Sequence, residues 1–369
     1  MANSNAPHHV LLAGGGTGGH VFPALAVGEE LQARGWRVSF VGTTGGMEER
    51  LVADRGVPFH GLPAKPLVGR GLLGKVKALT TLTGSALTAR GLIREVGADV
   101  VLGTGGYVSA PAVLGARLAR RPVLLLEPNG KAGVANRWLS RWATGACVGY
   151  RETIADLKCP SWVTGVPVRA VFFQIPVELP PLDAPRLLVL GGSSGAKQIN
   201  EAMPAVAARL IARFPTIRIT HQAGARNLDE ARAVYEKAGA GAPRVEVVPF
   251  LDDVAGAMAA SHLLVSRAGA ITLAEICAAG RASLLVPLAI SLGHQVDNAR
   301  VLADEGAAEM VLSNELSPDR LAARLEELLA DGDRLAAMGR AARALARPRA
   351  VADIADRVEE VGQSARRLR

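Results

Sequence analysis

The residues best placed to do chemistry lie in short glycine-rich turns. The first, Gly14-Gly15-Gly16-Thr17-Gly18-Gly19-His20, directly follows the apolar run His9-Val10-Leu11-Leu12-Ala13. Its Gly14-x-Gly16-x-x-Gly19 spacing matches the fingerprint in which backbone amides and a helix N-terminus approach a pyrophosphate. That fingerprint expects an acid at the end of the second strand to hold a ribose. Here the strand ends Phe40-Val41-Gly42-Thr43-Thr44, so nicotinamide-dinucleotide binding loses its anchor. His20 leaves the turn in the first turn of a helix, where its ring can meet a phosphate or a sugar hydroxyl; a lone histidine there is more often incidental.

A second turn, Gly191-Gly192-Ser193-Ser194-Gly195, offers amides and two hydroxyls at another helix start, although N-capping alone would explain it. The segment Ser266-Arg267-Ala268-Gly269-Ala270-Ile271-Thr272-Leu273-Ala274-Glu275 reads as a strand end, a glycine break and a helix carrying a carboxylate. A carboxylate there can accept hydrogen bonds from both vicinal hydroxyls of a ribose while the helix N-terminus faces a diphosphate. The plain alternative is a solvated helix glutamate. Gly293-His294-Gln295 and Asn298 follow, with amides that could bind sugar hydroxyls or cap a helix.

These turns must be positioned by something, and the pattern supplies it. Short apolar runs alternate with helical periodicity almost throughout, which predicts parallel sheets covered on both faces. Strands are predicted at 9–13, 36–41, 99–103, 123–126, 186–190, 217–221, 244–248, 263–266 and 283–287. Between 163 and 185, Pro167, Pro176, Pro180, Pro181 and Pro185 interrupt any regular element, and this stretch reads as an interdomain linker. After it the strand-turn-helix design restarts. The tail at 344–361 has helical periodicity and is expected to pack back on the first domain.

Composition bounds the rest. At 369 residues with 49% hydrophobic and 21% charged content, the chain suits two globular domains. The balance of 42 Lys+Arg against 34 Asp+Glu, a net +8, favours an anionic partner. No segment interleaves basic residues with stacking aromatics, which argues against nucleic acid. Three cysteines without a CxxC pair suggest neither a disulfide framework nor a zinc site. The N-terminus reads without a secretion signal, and the longest apolar stretch, 283–292, is shorter than the ~20 residues of a spanning helix. Membrane contact would then be peripheral. The segment from Lys65 to Lys77 mixes leucines with cations, and Arg137-Trp138-Leu139-Ser140-Arg141-Trp142 sets aromatic and basic residues at helical spacing. Both suit an anionic leaflet; the default is that Trp138 and Trp142 are core.

Gly15-Gly16-Thr17-Gly18-Gly19-His20-Val21-Phe22-Pro23, Gly105-Gly106-Tyr107-Val108-Ser109, Gly191-Gly192-Ser193-x-Gly195-Ala196 and Thr272-x-x-Glu275 stand in one order along nearly the whole chain. In this the sequence resembles the MurG family of peptidoglycan N-acetylglucosamine transferases. The resemblance implies an α/β GT-B fold, two Rossmann-like domains with parallel sheets facing a central cleft. Residues 1–165 would form the acceptor and membrane-side domain, with a helix at 348–369 packing back on it, and 166–347 the UDP-sugar domain. It implies inverting, metal-independent transfer of N-acetylglucosamine from UDP-N-acetylglucosamine to the C4 hydroxyl of the muramyl sugar of undecaprenyl-diphosphoryl-muramyl-pentapeptide (lipid I), giving lipid II, with no cofactor, at the cytoplasmic face of the bacterial plasma membrane.

Donor contacts are implied for Thr17, Gly18, Gly19, Asn129, Arg169, Ser193, Leu251, Ala270, Ile271, Thr272, Leu273, Ala274, Glu275 and Gln295, and acceptor-side contacts for Gly105, Gly106, Tyr107 and Ser109. The family's usual Glu-Gln-Asn-Gly stands here as Glu127-Pro128-Asn129-Gly130, its Gly-Asn-Pro-Val-Arg as Gly165-Val166-Pro167-Val168-Arg169, and the glutamine of the second turn as Ser194. Independently of the resemblance, no acidic pair sits in a metal-holding loop, because Asp252-Asp253 are adjacent and suit the start of a helix. A base must take the proton of an attacking sugar hydroxyl. His20 is the first candidate and Glu127 the second, both at strand-to-helix connections. The competing readings are a UDP-N-acetylglucosamine 2-epimerase, a catalytically impaired UDP-sugar-binding membrane-surface protein and, weakest, a nicotinamide-dependent oxidoreductase.

Overall fold

The structure, a computed structural model, describes residues 7–62, 72–106, 108–192, 195–240, 243–288 and 294–367, with the backbone alone at 72–79, 365 and 367. The chain divides into two compact units. One runs as far as Val168 and resumes at Arg349; the other is Arg169–Pro348.

In the first unit, strands β1 (His9–Gly14), β2 (Arg37–Thr43), β3 (Phe59–Leu62), β4 (Val100–Gly105), β5 (Val123–Glu127), β6 (Gly145–Val148) and β7 (Ser161–Val163) form one parallel sheet in the order β3-β2-β1-β4-β5-β6-β7. Helices α1 (Gly18–Ala33), α2 (Met47–Ala53), α3 (Leu72–Glu95), α4 (Ser109–Leu118) and α5 (Val134–Leu139) connect them. The strands are apolar on both faces, as burial between helices requires. Leu11, Ala13, Val101, Val123 and Leu125 join one core cluster, and Val10, Leu12, Val100, Leu102 and Leu124 join the other.

The second unit repeats the plan. Strands β8 (Arg186–Leu190), β9 (Arg218–Gln222), β10 (Val245–Val248), β11 (Leu263–Ser266), β12 (Ala282–Leu285) and β13 (Ala308–Met310) are parallel in the order β10-β9-β8-β11-β12-β13. Its helices are α6 (Ala170–Phe173), α7 (Lys197–Arg213), α8 (Leu228–Lys237), α9 (Val254–Ala259), α10 (Ala270–Ala279), α11 (His294–Asp304), α12 (Pro318–Leu329) and α13 (Gly332–Leu345). The chain then returns to the first unit as α14 (Ala350–Arg367). Each unit thus has a Rossmann-like sheet whose strand order reverses once, between β1 and β4 and between β8 and β11. In such sheets ligands bind beyond the carboxyl ends of the strands at the reversal.

Three local expectations need correction. The stretch 163–185 is not a bare linker, since it holds the end of β7 and the helix α6. The tail is not one helix across 344–361: α13 stops at Leu345 and α14 starts at Ala350, because Pro348 lacks a donor and restricts the residue before it. Trp138 is not core, being 38% exposed, and it meets the half-buried Trp142 edge-on at 4.5 Å between ring centroids. The segment from Lys65 to Lys77 lies outside the described residues up to position 71, and outside the described side chains beyond it.

Candidate active site

The glycine turn after β1 sits at the strand-order reversal of the first unit and is gripped from both sides. From β4, Thr104 Oγ1 donates to the His20 carbonyl at 2.8 Å. Ser109 Oγ, fully buried, accepts from Gly105 N–H at 2.9 Å, and its one proton faces the Gly105 carbonyl at 2.7 Å and the Ala13 carbonyl at 2.9 Å. Ser109 therefore braces two turns, and its hydroxyl does not face a ligand. Gly105 and Gly106 take φ of +104° and +80°. A Cβ on Gly106 would lie 2.2 Å from the Gly15 carbonyl oxygen, and one on Gly105 2.8 Å from His20 Cδ2, so only glycine fits at either position.

His20 is half-buried in the first turn of α1. Its Nδ1 lies 3.1 Å from the Gly15 carbonyl and 3.2 Å from Thr17 Oγ1. A carbonyl can only accept, so in the neutral ring this contact favours the tautomer with its proton on Nδ1 and a lone pair on Nε2. Thr17, Gly18 and Gly19 surround the start of α1, whose first amides have no partner within the helix.

The other base candidate is placed differently. Glu127, at the end of β5, is 2% exposed. Its Oε1 accepts from Asn129 N–H (3.1 Å) and Asn129 Nδ2 (2.9 Å), and its Oε2 from Gly133 N–H (2.8 Å) and Asn136 Nδ2 (3.0 Å). Four donors organise the loop around this carboxylate, leaving it poorly placed to take a substrate proton. Asn129 is held within that loop. Tyr107 and Ser193 lie outside the described residues.

In the second unit the reversal brings together the turn after β8 and the start of α10. Gly191 N–H donates to the Gln222 carbonyl at 3.0 Å. Gly195 has φ +74°, and a Cβ there would lie 2.4 Å from the Ala223 carbonyl oxygen. That carbonyl also accepts from Asn200 Nδ2 at 2.9 Å, whose Oδ1 meets His221 Nε2 at 3.1 Å, while His221 Nδ1 meets the Tyr235 hydroxyl at 2.8 Å. Burial lowers His221 to about 4, so this network is neutral and supports the turn from below.

Helix α10 begins after Gly269, with Ala270 and Leu273 buried and Ile271, Thr272 and Ala274 partly open. Glu275, half-buried on its second turn, is pushed up to about 7 by burial, with the nearby Arg169 guanidinium pulling the other way. Leu251 is half-buried ahead of α9, whose N-cap Asp253 accepts from Gly256 N–H. Gln295 Oε1 accepts from Leu288 N–H at 2.9 Å, and buried Asn298 donates to the Ala268 carbonyl at 3.1 Å, so Asn298 braces the end of β11.

Two further residues escaped the sequence reading. Arg267, half-buried at the end of β11, donates to the Val286 carbonyl (3.1 Å) and to Gln198 Oε1 (3.0 Å), holding β12 and α7 to the same corner. Glu48 is fully buried beneath the first turn, with Oε1 accepting from Thr43 N–H (2.8 Å) and Oε2 from Gly16 N–H (3.3 Å). An acid does serve the first turn, therefore, but from five residues past the end of β2. It binds the backbone and not a ribose. Among the described residues, no group of three or more His, Cys, Asp or Glu could hold a metal ion.

Two Rossmann-like units, each with an anion-type turn at its strand-order reversal, are the architecture of the GT-B fold class. The N-terminal domain model of glycosyltransferase family 28 matches residues 10–148, and its C-terminal domain model matches residues 186–358. The chain is 41% identical, over 95% of its length and 97% of the relative's, to the UDP-N-acetylglucosamine–N-acetylmuramyl-(pentapeptide) pyrophosphoryl-undecaprenol N-acetylglucosamine transferase of Syntrophotalea carbinolica. The crystal structure of Acinetobacter baumannii MurG superposes with a TM-score of 0.78 at 33% identity, covering 96% of this chain and 100% of that one. A UDP-GlcNAc 2-epimerase from Neisseria meningitidis, 14% identical with a TM-score of 0.69 over 95% of this chain and 100% of its own, shares the fold alone. The chain belongs to the MurG family within glycosyltransferase family 28.

Proposed function

We propose that the chain transfers N-acetylglucosamine from its UDP donor to the C4 hydroxyl of the muramyl sugar of a polyprenyl-diphosphoryl muramyl-pentapeptide, with inversion. The near-full-length identity to named N-acetylglucosamine transferases carries this reading. The second unit holds the donor. Ionised Glu275 accepts from the ribose hydroxyls, the N-terminus of α10 and the turn after β8 face the diphosphate, and Arg169, Leu251 and Gln295 bound the pocket. His20 Nε2, its lone pair set by the Nδ1 contact, takes the proton of the attacking hydroxyl. Helix N-termini stabilise the departing UDP without a metal. Glu127 shapes the loop that carries Asn129.

We place the protein on the cytoplasmic face of the plasma membrane as a peripheral enzyme. A cavity of about 500 Å³ in the first unit is lined by Arg117, Arg120, Arg121, Arg141 and Trp142. Nε and Nη1 of Arg121 are buried without a hydrogen-bond partner among the described residues. Exposed Leu87, Leu118 and Trp138 belong to the same unit, and no described helix is long and apolar enough to cross a membrane. Cations and exposed apolar side chains carried by one unit suit an anionic leaflet.

The deciding assay uses purified protein, radiolabelled UDP-N-acetylglucosamine and the polyprenyl-linked acceptor, with and without EDTA. Label should enter the lipid fraction in both. Folded protein that leaves the lipid unlabelled overturns the transferase reading, and release of a 2-epimer would put the epimerase in its place. Loss of transfer on adding EDTA overturns only the metal-free step.

A further inference from the structure

We infer that Glu48 is a positioning residue for His20, acting through the single peptide group that joins Gly15 to Gly16. The inference rests on the reading of His20 as the base. The N–H of that peptide, on Gly16, donates to Glu48 Oε2 at 3.3 Å, and its C=O, on Gly15, accepts from His20 Nδ1 at 3.1 Å. A chain therefore runs from carboxylate through peptide to imidazole. Hydrogen bonds in series polarise one another. Negative charge at the N–H end makes the Gly15 oxygen a stronger acceptor, which holds the proton on Nδ1 and the lone pair on Nε2. A base oriented by a third group is the usual logic of activated sites, and here a peptide stands between the two.

The packing is built around this carboxylate. Glu48 is 0% exposed, and a buried carboxylate is costly unless hydrogen-bonded. Three glycines make room for it. A Cβ on Gly15 would lie 2.3 Å from Glu48 Oε1, one on Gly42 2.6 Å from its Cγ, and one on Gly46 2.6 Å from its Cδ. The second bond, from Thr43 N–H at 2.8 Å, fixes the carboxylate to the end of β2. The position of the Gly15–Gly16 peptide, and with it the aim of His20, is thereby tied to the sheet.

Glu48→Gln tests this. The carbonyl of the introduced amide can keep the Thr43 bond while its NH2 faces the Gly16 N–H, so only the link to the peptide is lost. The folded variant should keep wild-type UDP affinity and KM for UDP-N-acetylglucosamine and lose about 10- to 100-fold in kcat, the range typical of partners that orient a reacting group. Combined with His20→Ala it should cost nothing beyond His20→Ala alone. Unchanged kcat in folded Glu48→Gln, or losses that multiply in the double variant, would overturn the inference. Amide exchange at Gly16 in the wild-type protein gives a readout independent of turnover: protection is expected, and a Gly16 amide exchanging like an open loop would overturn it. Wild-type protein that transfers no label removes the transferase reading, while the Gly16 amide still decides whether Glu48 holds the peptide.

Discussion

Glu275 ionises reluctantly, and that has two consequences of opposite sign. Burial pushes its carboxyl up to about 7, and of its two forms only a carboxylate can accept from both hydroxyls of a ribose, the role proposed for it. UDP affinity measured by calorimetry should rise between pH 6 and pH 8 and then level. Glu275→Gln should weaken UDP by about 10-fold at pH 8 and flatten that rise; an equally steep rise in the variant would remove Glu275 from the ribose. Stability runs the other way. The folded value lies above the unfolded one, so the proton adds stability that is complete below the unfolded value of 4.5 and is lost as pH rises through about 7. Urea unfolding of the ligand-free protein should show Glu275→Gln gaining on the wild type from pH 5 to pH 8. Glu127 differs because its four donors are satisfied. Glu127→Gln sets an NH2 against N–H groups and should cost about 1–3 kcal/mol in urea unfolding. A fully stable but inactive Glu127→Gln would restore it as the base.

At the scale of the element, the last helix shows how a distant segment completes a core. Ile354, Ala355 and Val358 of α14 are fully buried in the cluster that contains Val10 and Leu12. Arg34 Nη1 donates to Asp356 (2.6 Å) and Glu359 (3.0 Å), and Trp36 Nε1 to Glu359 at 3.1 Å. A Cβ on Gly362 would lie 2.6 Å from Trp36 Cη2 and 3.0 Å from Val100 Cγ2, so Gly362→Val should cost about 1–3 kcal/mol and speed proteolysis around 346–349. Unchanged thermal unfolding would mean that the helix docks more loosely than its packing implies. The docking of such a tail could be anticipated from its periodicity, and its break could have been read from Pro348. The strand-turn-helix units at β1, β8 and β11 were legible because an apolar run ends at glycine. β3, β6, β7 and β13 were not, since strands of three or four residues, such as Phe59-His60-Gly61-Leu62, are too short for an apolar run or period to stand out. The positions of His20 in the first turn of α1 and of Glu275 on α10 were legible because a glycine turn precedes each helix. Glu48 was hidden because its partners are backbone amides, which leave no side-chain signature, and because the dinucleotide fingerprint places its acid at the end of β2 and not on α2.

For the molecule as a whole, the two units differ in how they depend on chain continuity. Arg169–Pro348 is contiguous and has its own core cluster, so residues 169–348 should fold alone and bind UDP as the full chain does. Residues 1–168 lack α14 and should expose the surface it covers, giving an aggregating product in light scattering. An isolated second fragment that folds but ignores UDP would mean that donor binding needs the first unit. The net +8 leads to the remaining prediction. Of the cations around the cavity in the first unit, Arg117, Arg120 and Arg121 lie within five residues of one another, and none forms an ion pair within the described residues. Each cation near an anionic surface contributes about 1 kcal/mol, so replacing all three by Gln should weaken binding to vesicles rich in anionic lipid by about 100-fold. Salt should weaken the wild type in the same assay, because the Debye length contracts to about 3 Å at 1 M. UDP affinity should not change, since none of the three is among the residues proposed to contact the donor and Glu275, the proposed ribose partner, lies in the other unit. Salt-independent vesicle binding, or a triple variant that binds like the wild type, would show that apolar insertion by Leu87, Leu118 and Trp138 dominates and that the arginines serve another anion.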